Sequence, residues 1–185
     1  DTKGEREYLT KYVLPAIRAR CRTRRISFSW KDLGDSLPNH DGSTRVDFLS
    51  KRMSSLQLAG ITPPGGHRRP FCLSILTERG GYFPNYDPSD KRGRLICRTA
   101  ASKRGFEWIG ESKYKERSVA QLEIEAAFMR CSKDSETFFL KRDPAWTQDP
   151  TFLNQVPQIV RDSYFEGEPS LQQRVHEFNS LVTKR

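Results

Sequence analysis

The sequence predicts an α/β fold, with a parallel sheet flanked by helices. Strand-like and helical segments alternate along the 185 residues, which is the order expected of such a sheet. Phe71-Cys72-Leu73-Ser74-Ile75-Leu76 is a nearly continuous apolar run of strand length, as expected of a parallel strand covered on both faces. Leu171, Val175, Phe178 and Val182 fall at i, i+4, i+7 and i+11 and mark a C-terminal helix with one apolar face.

The elements follow in order. Thr2 and Glu5 have capping-box spacing, and Tyr8, Leu9, Tyr12, Val13, Ala16, Ile17 and Cys21 recur at helical spacing behind them. Pro15 is expected to kink this helix or end its regular part, because it lacks an N–H and crowds the preceding turn. Ile26-Ser27-Phe28-Ser29-Trp30 alternates apolar and polar types and predicts a strand. Asp35–Gly42 has turn chemistry. A second helix with Val46, Leu49, Met53 and Leu56 on its inner face follows, and Gly60–Arg69 breaks the pattern with prolines and glycines. Ser118 and Gln121 make another capping box, opening a helix that runs to about Arg130, and Thr137–Leu140 predicts a short strand. The chain opens on a helix rather than a strand, so the sheet is expected to lack its leading strand.

Residues 83–117 show almost no periodicity. They hold nine Lys or Arg against five Asp or Glu, and are expected to form a long polar insertion. The division expected is an α/β domain over 1–145 and a helical extension of it over 146–185.

Composition excludes several classes. Only 35% of residues are apolar and 30% are charged, so the core must come from a few concentrated segments. No apolar run approaches the roughly 20 residues of a membrane span, and the charged N-terminus has no apolar stretch behind it, so the expectation is a soluble chain without a signal peptide. Cys21, Cys72, Cys97 and Cys131 are too widely spaced for a paired metal site and predict free thiols in a reducing, cytoplasmic setting. His40, His67 and His176 stand alone in polar contexts, so no metal is expected.

The net charge of +9 directs attention to Arg18, Arg20, Arg22, Arg24, Arg25 and Lys31, a stretch with no acidic residue. It favours a polyanion. Stacked-aromatic strand motifs, GXXG loops and zinc fingers are all missing from the sequence, which argues against nucleic acid as the partner. A solvated basic face, or one that docks on an acidic partner, is the plainer expectation.

Glu78-Arg79-Gly80-Gly81-Tyr82-Phe83-Pro84, directly after the central apolar strand, resembles a motif of the TIR-like domains at the front of nephrocystin-type, telomerase-associated and NACHT–WD-repeat signalling proteins. Four more segments resemble that family in the same order: Thr2–Leu9, Phe28–Leu33, Ser118–Ile124 and Phe138–Pro144. One departure stands out. After Asp32 the family usually has Arg-Trp-Gly, whereas this chain has Leu33-Gly34-Asp35. The resemblance implies a flavodoxin-like sheet and a signalling domain that self-associates and precedes nucleotide-binding or repeat modules.

In a doubly wound sheet, ligands bind at the carboxyl ends of the strands, where the loop after Trp30, the Glu78–Phe83 turn and the start of the Ser118 helix should converge. In TIR domains that cleave NAD, a helix glutamate is catalytic. The resemblance puts Glu123 in that role, with Val119 four residues before and Ile124 directly after. Cleaving the nicotinamide–ribose bond passes through an oxocarbenium-like species that a carboxylate can stabilise. Asp32 and Ser118 are expected at the cleft, Arg79 on the pyrophosphate, and Tyr82 or Trp108 against a base. NAD enters this scheme as substrate, with no cofactor. The alternative is a scaffold of the same fold that uses the Arg18–Lys31 surface for protein–protein assembly.

Overall fold

The computed structural model describes residues 2–30, 32, 71–129, 136–162 and 164–184. Residues 33–70, which hold the expected turn at Asp35–Gly42, the helix through Val46–Leu56 and the Gly60–Arg69 break, lie outside them. The chain divides into two compact units, Asp1–Leu37 and Pro38–Arg185.

The first unit is built on one helical run: α1 (Lys3–Tyr8), a π turn (Leu9–Val13) and α2 (Leu14–Thr23). Pro15 neither ends nor breaks it. Pro15 sits in the first turn of α2, and the turn before it widens until the Leu14 amide reaches the Leu9 carbonyl. Such widening relieves the crowding a proline ring imposes on the carbonyl four residues earlier. The capping box expected at Thr2 does not form, since the Thr2 side chain makes no cap hydrogen bond.

The run ends in a Schellman motif. The Ile26 amide donates to the Cys21 carbonyl at 2.9 Å and the Arg25 amide to Arg22 at 3.0 Å. Arg25 occupies the left-handed position with φ 57°, where glycine is usual. Ile26–Trp30, expected as a strand, has no ladder partner among the described residues. Its alternation serves a different contact: the rings of Phe28 and Trp30 lie 5.9 Å apart and the Arg18 guanidinium sits over Trp30 at 5.8 Å. A strand pattern requires a neighbouring strand, and among the described residues the half-buried aromatics are partnered locally instead.

The second unit is mixed helix and sheet. β1 (Phe71–Leu76) pairs in parallel with β2 (Glu136–Lys141), from Phe71↔Glu136 to Leu76↔Lys141. Cross-pairing places Leu76 and Phe139 on one face, where they pack with Ile124, Phe178 and Val182. The other face carries Phe71, Leu73, Ile75, Phe138 and Leu140. Of these Phe71, Phe138 and Leu140 are exposed, so the expected cover on both faces is not met by the described residues.

Between the strands come α3 (Lys91–Ala101), two 3-10 turns (Glu107–Gly110 and Ser112–Tyr114), α4 (Val119–Ile124) and a π turn (Glu125–Met129). After β2 come α5 (Pro144–Gln148), α6 (Pro150–Gln155), α7 (Gln158–Arg161) and α8 (Pro169–Thr183). The four apolar positions expected on the last helix, Leu171, Val175, Phe178 and Val182, are the buried ones.

Residues 83–117 depart most from expectation. They are not a polar insertion but contain α3, and they supply Ile96, Ala100, Phe106, Trp108, Ile109 and Tyr114 to the largest buried cluster, with Leu122 and Ala126 of the next helical segment. The helical period was carried by Gly93, Ile96, Cys97 and Ala100, residues mostly small and set among arginines, so it left little hydrophobic signal. Gly93 is needed by close approach: a methyl there would collide with the Pro84 carbonyl and the Tyr82 hydroxyl. Among the described residues, no helix is long and apolar enough to cross a membrane.

Candidate functional site

The carboxyl ends of β1 and β2 are where a site is expected in a parallel sheet. β1 continues into Thr77-Glu78-Arg79-Gly80, a turn tied down from several directions. The Thr77 hydroxyl donates to the Arg79 carbonyl at 3.1 Å and accepts from the Arg79 amide. Asn179 of α8 donates to the Thr77 carbonyl at 2.9 Å, and the Gly80 amide donates to the Glu166 carboxylate at 3.1 Å. Residues of the C-terminal extension therefore fix this turn, a role the sequence did not reveal because neither residue lies in a motif.

β2 ends at Lys141, and the next residue, Arg142, donates its amide to the Leu76 carbonyl at 2.9 Å. That extra rung carries the Arg142 side chain alongside the β1 end. The side chain is 5% exposed, and its guanidinium lies 3.6 Å from Glu78 and stacks over Tyr164 at 4.8 Å. Both residues belong to segments quoted above for their resemblance, but spacing alone could not pair them. The signal lay in the strand register, which sets Leu76 opposite Lys141 and so brings Arg142, one residue past its strand, near Glu78, two residues past its own.

Ser118 forms the expected capping box: its side chain accepts from the Gln121 amide at 3.2 Å, and Gln121 Oε1 accepts from the Ser118 amide at 3.0 Å. Ser118 is fully buried, so its hydroxyl serves the helix end. Glu123 lies on α4 between Val119 and Ala127 at helical spacing. Its neighbours Leu122 and Ile124 enter two different apolar clusters, and one of its carboxylate oxygens, Oε1, is enclosed.

Arg79 is exposed. Tyr82 is 46% exposed, with its hydroxyl donating to Asp90 and its carbonyl accepting from the Val119 amide at 2.9 Å. The Glu78–Phe83 turn and the α4 start are thus joined by a backbone hydrogen bond, as the topology demands. Trp108 is 5% exposed, and its ring meets Tyr114 edge-on at 4.8 Å within the core cluster. Stacking on a base would require its removal from that packing. Asp32 belongs to the first unit, where Arg6 donates to its Oδ2 at 3.0 Å through Nε, with Nη2 equally close. Arg6 and Asp32 come from two of the segments quoted for the resemblance, and here they hold the Ile26–Trp30 segment back against α1.

The electrostatics nearby are local. Burial pushes the Cys97 thiol up from its ordinary range, partly offset by the hydrogen bond Asn85 donates to its sulfur. Hydrogen bonds from the Ser89 hydroxyl and amide hold the exposed Asp87 carboxylate below the usual range. Among the described residues, no group of three or more His, Cys, Asp or Glu is arranged to hold a metal ion.

The second electrostatic feature lies in the first unit. Arg18, Arg20, Arg22, Arg24 and Arg25 are all exposed, and none is ion-paired with a described residue. Arg18 and Arg22 share one side of α2 and Arg20 lies on the opposite one, so the helix end is basic on two sides, with Arg24 and Arg25 just past it. Cations at a helix C-terminus complement the free carbonyls there, which accounts for some of the cluster but not for five in eight residues.

Relatives match along nearly the full chain. A TPR repeat-containing protein of Dictyostelium discoideum is 23% identical over 172 residues, covering 92% of this chain and 9% of that protein. Telomerase protein component 1 of Rattus norvegicus is 26% identical over 189 residues, covering 100% of this chain and 6% of that protein. The chain thus spans less than a tenth of the length of either relative. No protein-family profile matches it. Nor does any solved structure.

Proposed function

We propose that this chain is a TIR-like assembly domain of flavodoxin-like arrangement, one module of a large cytoplasmic repeat-containing protein, and that it docks an acidic protein segment on the arginine-rich end of α2. The observation that carries this reading is the set of five exposed arginines from Arg18 to Arg25 without an ion pair among the described residues. An arginine fork matches a carboxylate in two parallel hydrogen bonds, so a run of Asp or Glu is the complement such a surface selects. Two further observations lean the same way. Ser118 and Trp108, expected to line a substrate cleft, are committed to a helix cap and to the core. The relatives are proteins of which this chain matches a small part, and one is named for TPR repeats.

The test is binding of polyglutamate to the intact chain, with Arg20→Gln, Arg22→Gln and Arg24→Gln combined as the variant. Loss of binding with unchanged circular dichroism supports the docking surface. Equal binding by the variant removes it. Tighter binding of single-stranded RNA than of polyglutamate would turn the reading toward nucleic acid.

A second reading is kept by one observation. Glu123 sits on a helix opened by a complete capping box, with an enclosed carboxylate oxygen. On this reading the domain self-associates and cleaves NAD at the nicotinamide–ribose bond, with Glu123 stabilising the developing charge and Arg79 on the pyrophosphate. NAD consumption by concentrated protein, abolished in Glu123→Gln, is its expected result.

A further inference from the structure

The surface just described carries a feature that electrostatics alone does not explain. Arg24-Arg25-Ile26-Ser27-Phe28 places two arginines three and two residues before a serine and an apolar residue directly after it. Ser27 is exposed, as are Arg24 and Arg25, and Ile26–Trp30 joins no helix or ladder among the described residues. We infer that Ser27 is a phosphate acceptor for a basophilic serine/threonine kinase, and that its modification switches the docking surface off. The inference rests on the docking reading for its consequence, though not for the modification itself.

The chemistry of recognition follows from the residue types. A kinase groove that selects basic substrates offers carboxylates to arginines ahead of the acceptor, and discriminates by that charge pattern. Arg24 and Arg25 supply the charges and Phe28 fills the apolar pocket after the acceptor. Such a groove takes an extended segment, so the helix end must open first. The bonds in the way are the Arg24 and Ile26 amides on the Cys21 carbonyl and the Arg25 amide on Arg22, together with the Phe28–Trp30 ring contact, while the Arg6–Asp32 pair anchors the segment beyond Trp30. The amide bonds lie in the last turn, where helices fray. Opening also releases Arg25 from its left-handed backbone conformation, a strain that a non-glycine residue relieves on leaving it.

The transfer balances simply. The Ser27 hydroxyl oxygen attacks the γ-phosphorus of a nucleoside triphosphate held by the kinase. The new O–P bond forms as the bond to the nucleoside diphosphate breaks, and the hydroxyl proton passes to the kinase's carboxylate base. The product carries roughly −1.5 to −2 charge and three acceptor oxygens next to the arginines. Arginines that pair with this phosphate are withdrawn from an acidic partner.

The experiment treats the whole chain with ATP and a kinase selective for arginine three and two residues before its acceptor. Intact mass gives the phosphate count and fragmentation gives the site. One phosphate at Ser27 is expected, lost in Ser27→Ala, kept in Ser27→Thr, and formed about tenfold more slowly in Arg24→Ala, the equivalent of roughly 1.4 kcal/mol. Lys51-Arg52-Met53-Ser54 has the same spacing of bases and acts as an internal competitor. Phosphate at Ser54 instead of Ser27, or an unmodified chain where a peptide of residues 18–30 is modified, overturns the assignment. Polyglutamate binding of the phosphorylated chain is read separately. Unmodified chain that binds and phosphorylated chain that does not supports the switch. Equal binding by both refutes the switch alone, and no binding by either refutes the docking reading while leaving the acceptor assignment intact.

Discussion

Arg25 closes its helix at φ 57°, in a backbone region where a side chain other than glycine costs about 1–2 kcal/mol. Arg25→Gly removes that cost and adds some unfolded-chain entropy, for a net gain of about 0.5–1 kcal/mol in the cap. The Ile26 amide, which donates to Cys21, should then exchange its proton several-fold more slowly by hydrogen-exchange mass spectrometry or NMR. At the strand ends the arithmetic runs the other way. Arg142→Met leaves the Glu78 carboxylate without its ion-pair partner in a largely buried place, a loss of about 3 kcal/mol. Adding Glu78→Gln should return much of it, read as recovery of the denaturant midpoint. Cys97 sets an alkaline limit. Its folded pKa is raised by burial, so below the ordinary thiol range both states hold the proton and nothing is lost. As pH rises through that range the unfolded chain deprotonates first, and stability falls until the folded thiol follows. Cys97→Ala should remove this loss, seen as a flatter thermal midpoint between neutral and alkaline pH.

Elements were legible in proportion to the hydrophobic contrast they carry. The α8 face at Leu171, Val175, Phe178 and Val182, the β1 run and the Ser118–Gln121 cap each rest on large apolar residues or a two-residue polar code, and all three are present. The α3 helix was hidden because its inward residues, Gly93, Ile96, Cys97 and Ala100, are small, and small residues are what a helix needs when it approaches another backbone closely. The candidate site was legible as an ordered set of segments, but not in its pairings. Glu78 with Arg142, Gly80 with Glu166 and Arg6 with Asp32 all join residues far apart in sequence, and only register and chain path decide such contacts. Two measurements belong to this scale. Gly93→Ala forces α3 away from Pro84 and should cost about 3 kcal/mol or more. Phe178→Ala empties the contact between α8 and the sheet and should cost about 3–5 kcal/mol, lowering the thermal midpoint without altering the first unit's helix signal.

Across the molecule, charge and apolar burial are carried by different parts. Residues 1–37 hold nine Lys or Arg against five Asp or Glu, and the excess lies past Arg18, on a unit that buries no helix residue. Among the described residues, the three apolar clusters are all built from the second unit. Salt should therefore separate the two properties. Raising ionic strength from about 0.01 M to 0.1 M shortens the screening length from about 30 Å to 10 Å, which should weaken polyglutamate binding strongly while the thermal midpoint moves little. The parallel ladder has a consequence in time. Phe71 is matched with Glu136, so the first strand must wait for its partner until 65 more residues have been made. At synthesis rates of about 5–20 residues per second, that is a delay of roughly 3–13 s. For those seconds Phe71, Leu73 and Ile75 have no strand partner among the described residues already made, and an apolar segment with open backbone hydrogen bonds is the kind of nascent chain that holding chaperones recognise. In the cell, then, the yield of this domain should depend on what escorts β1 before β2 arrives, an expectation that co-expression with a holding chaperone checks.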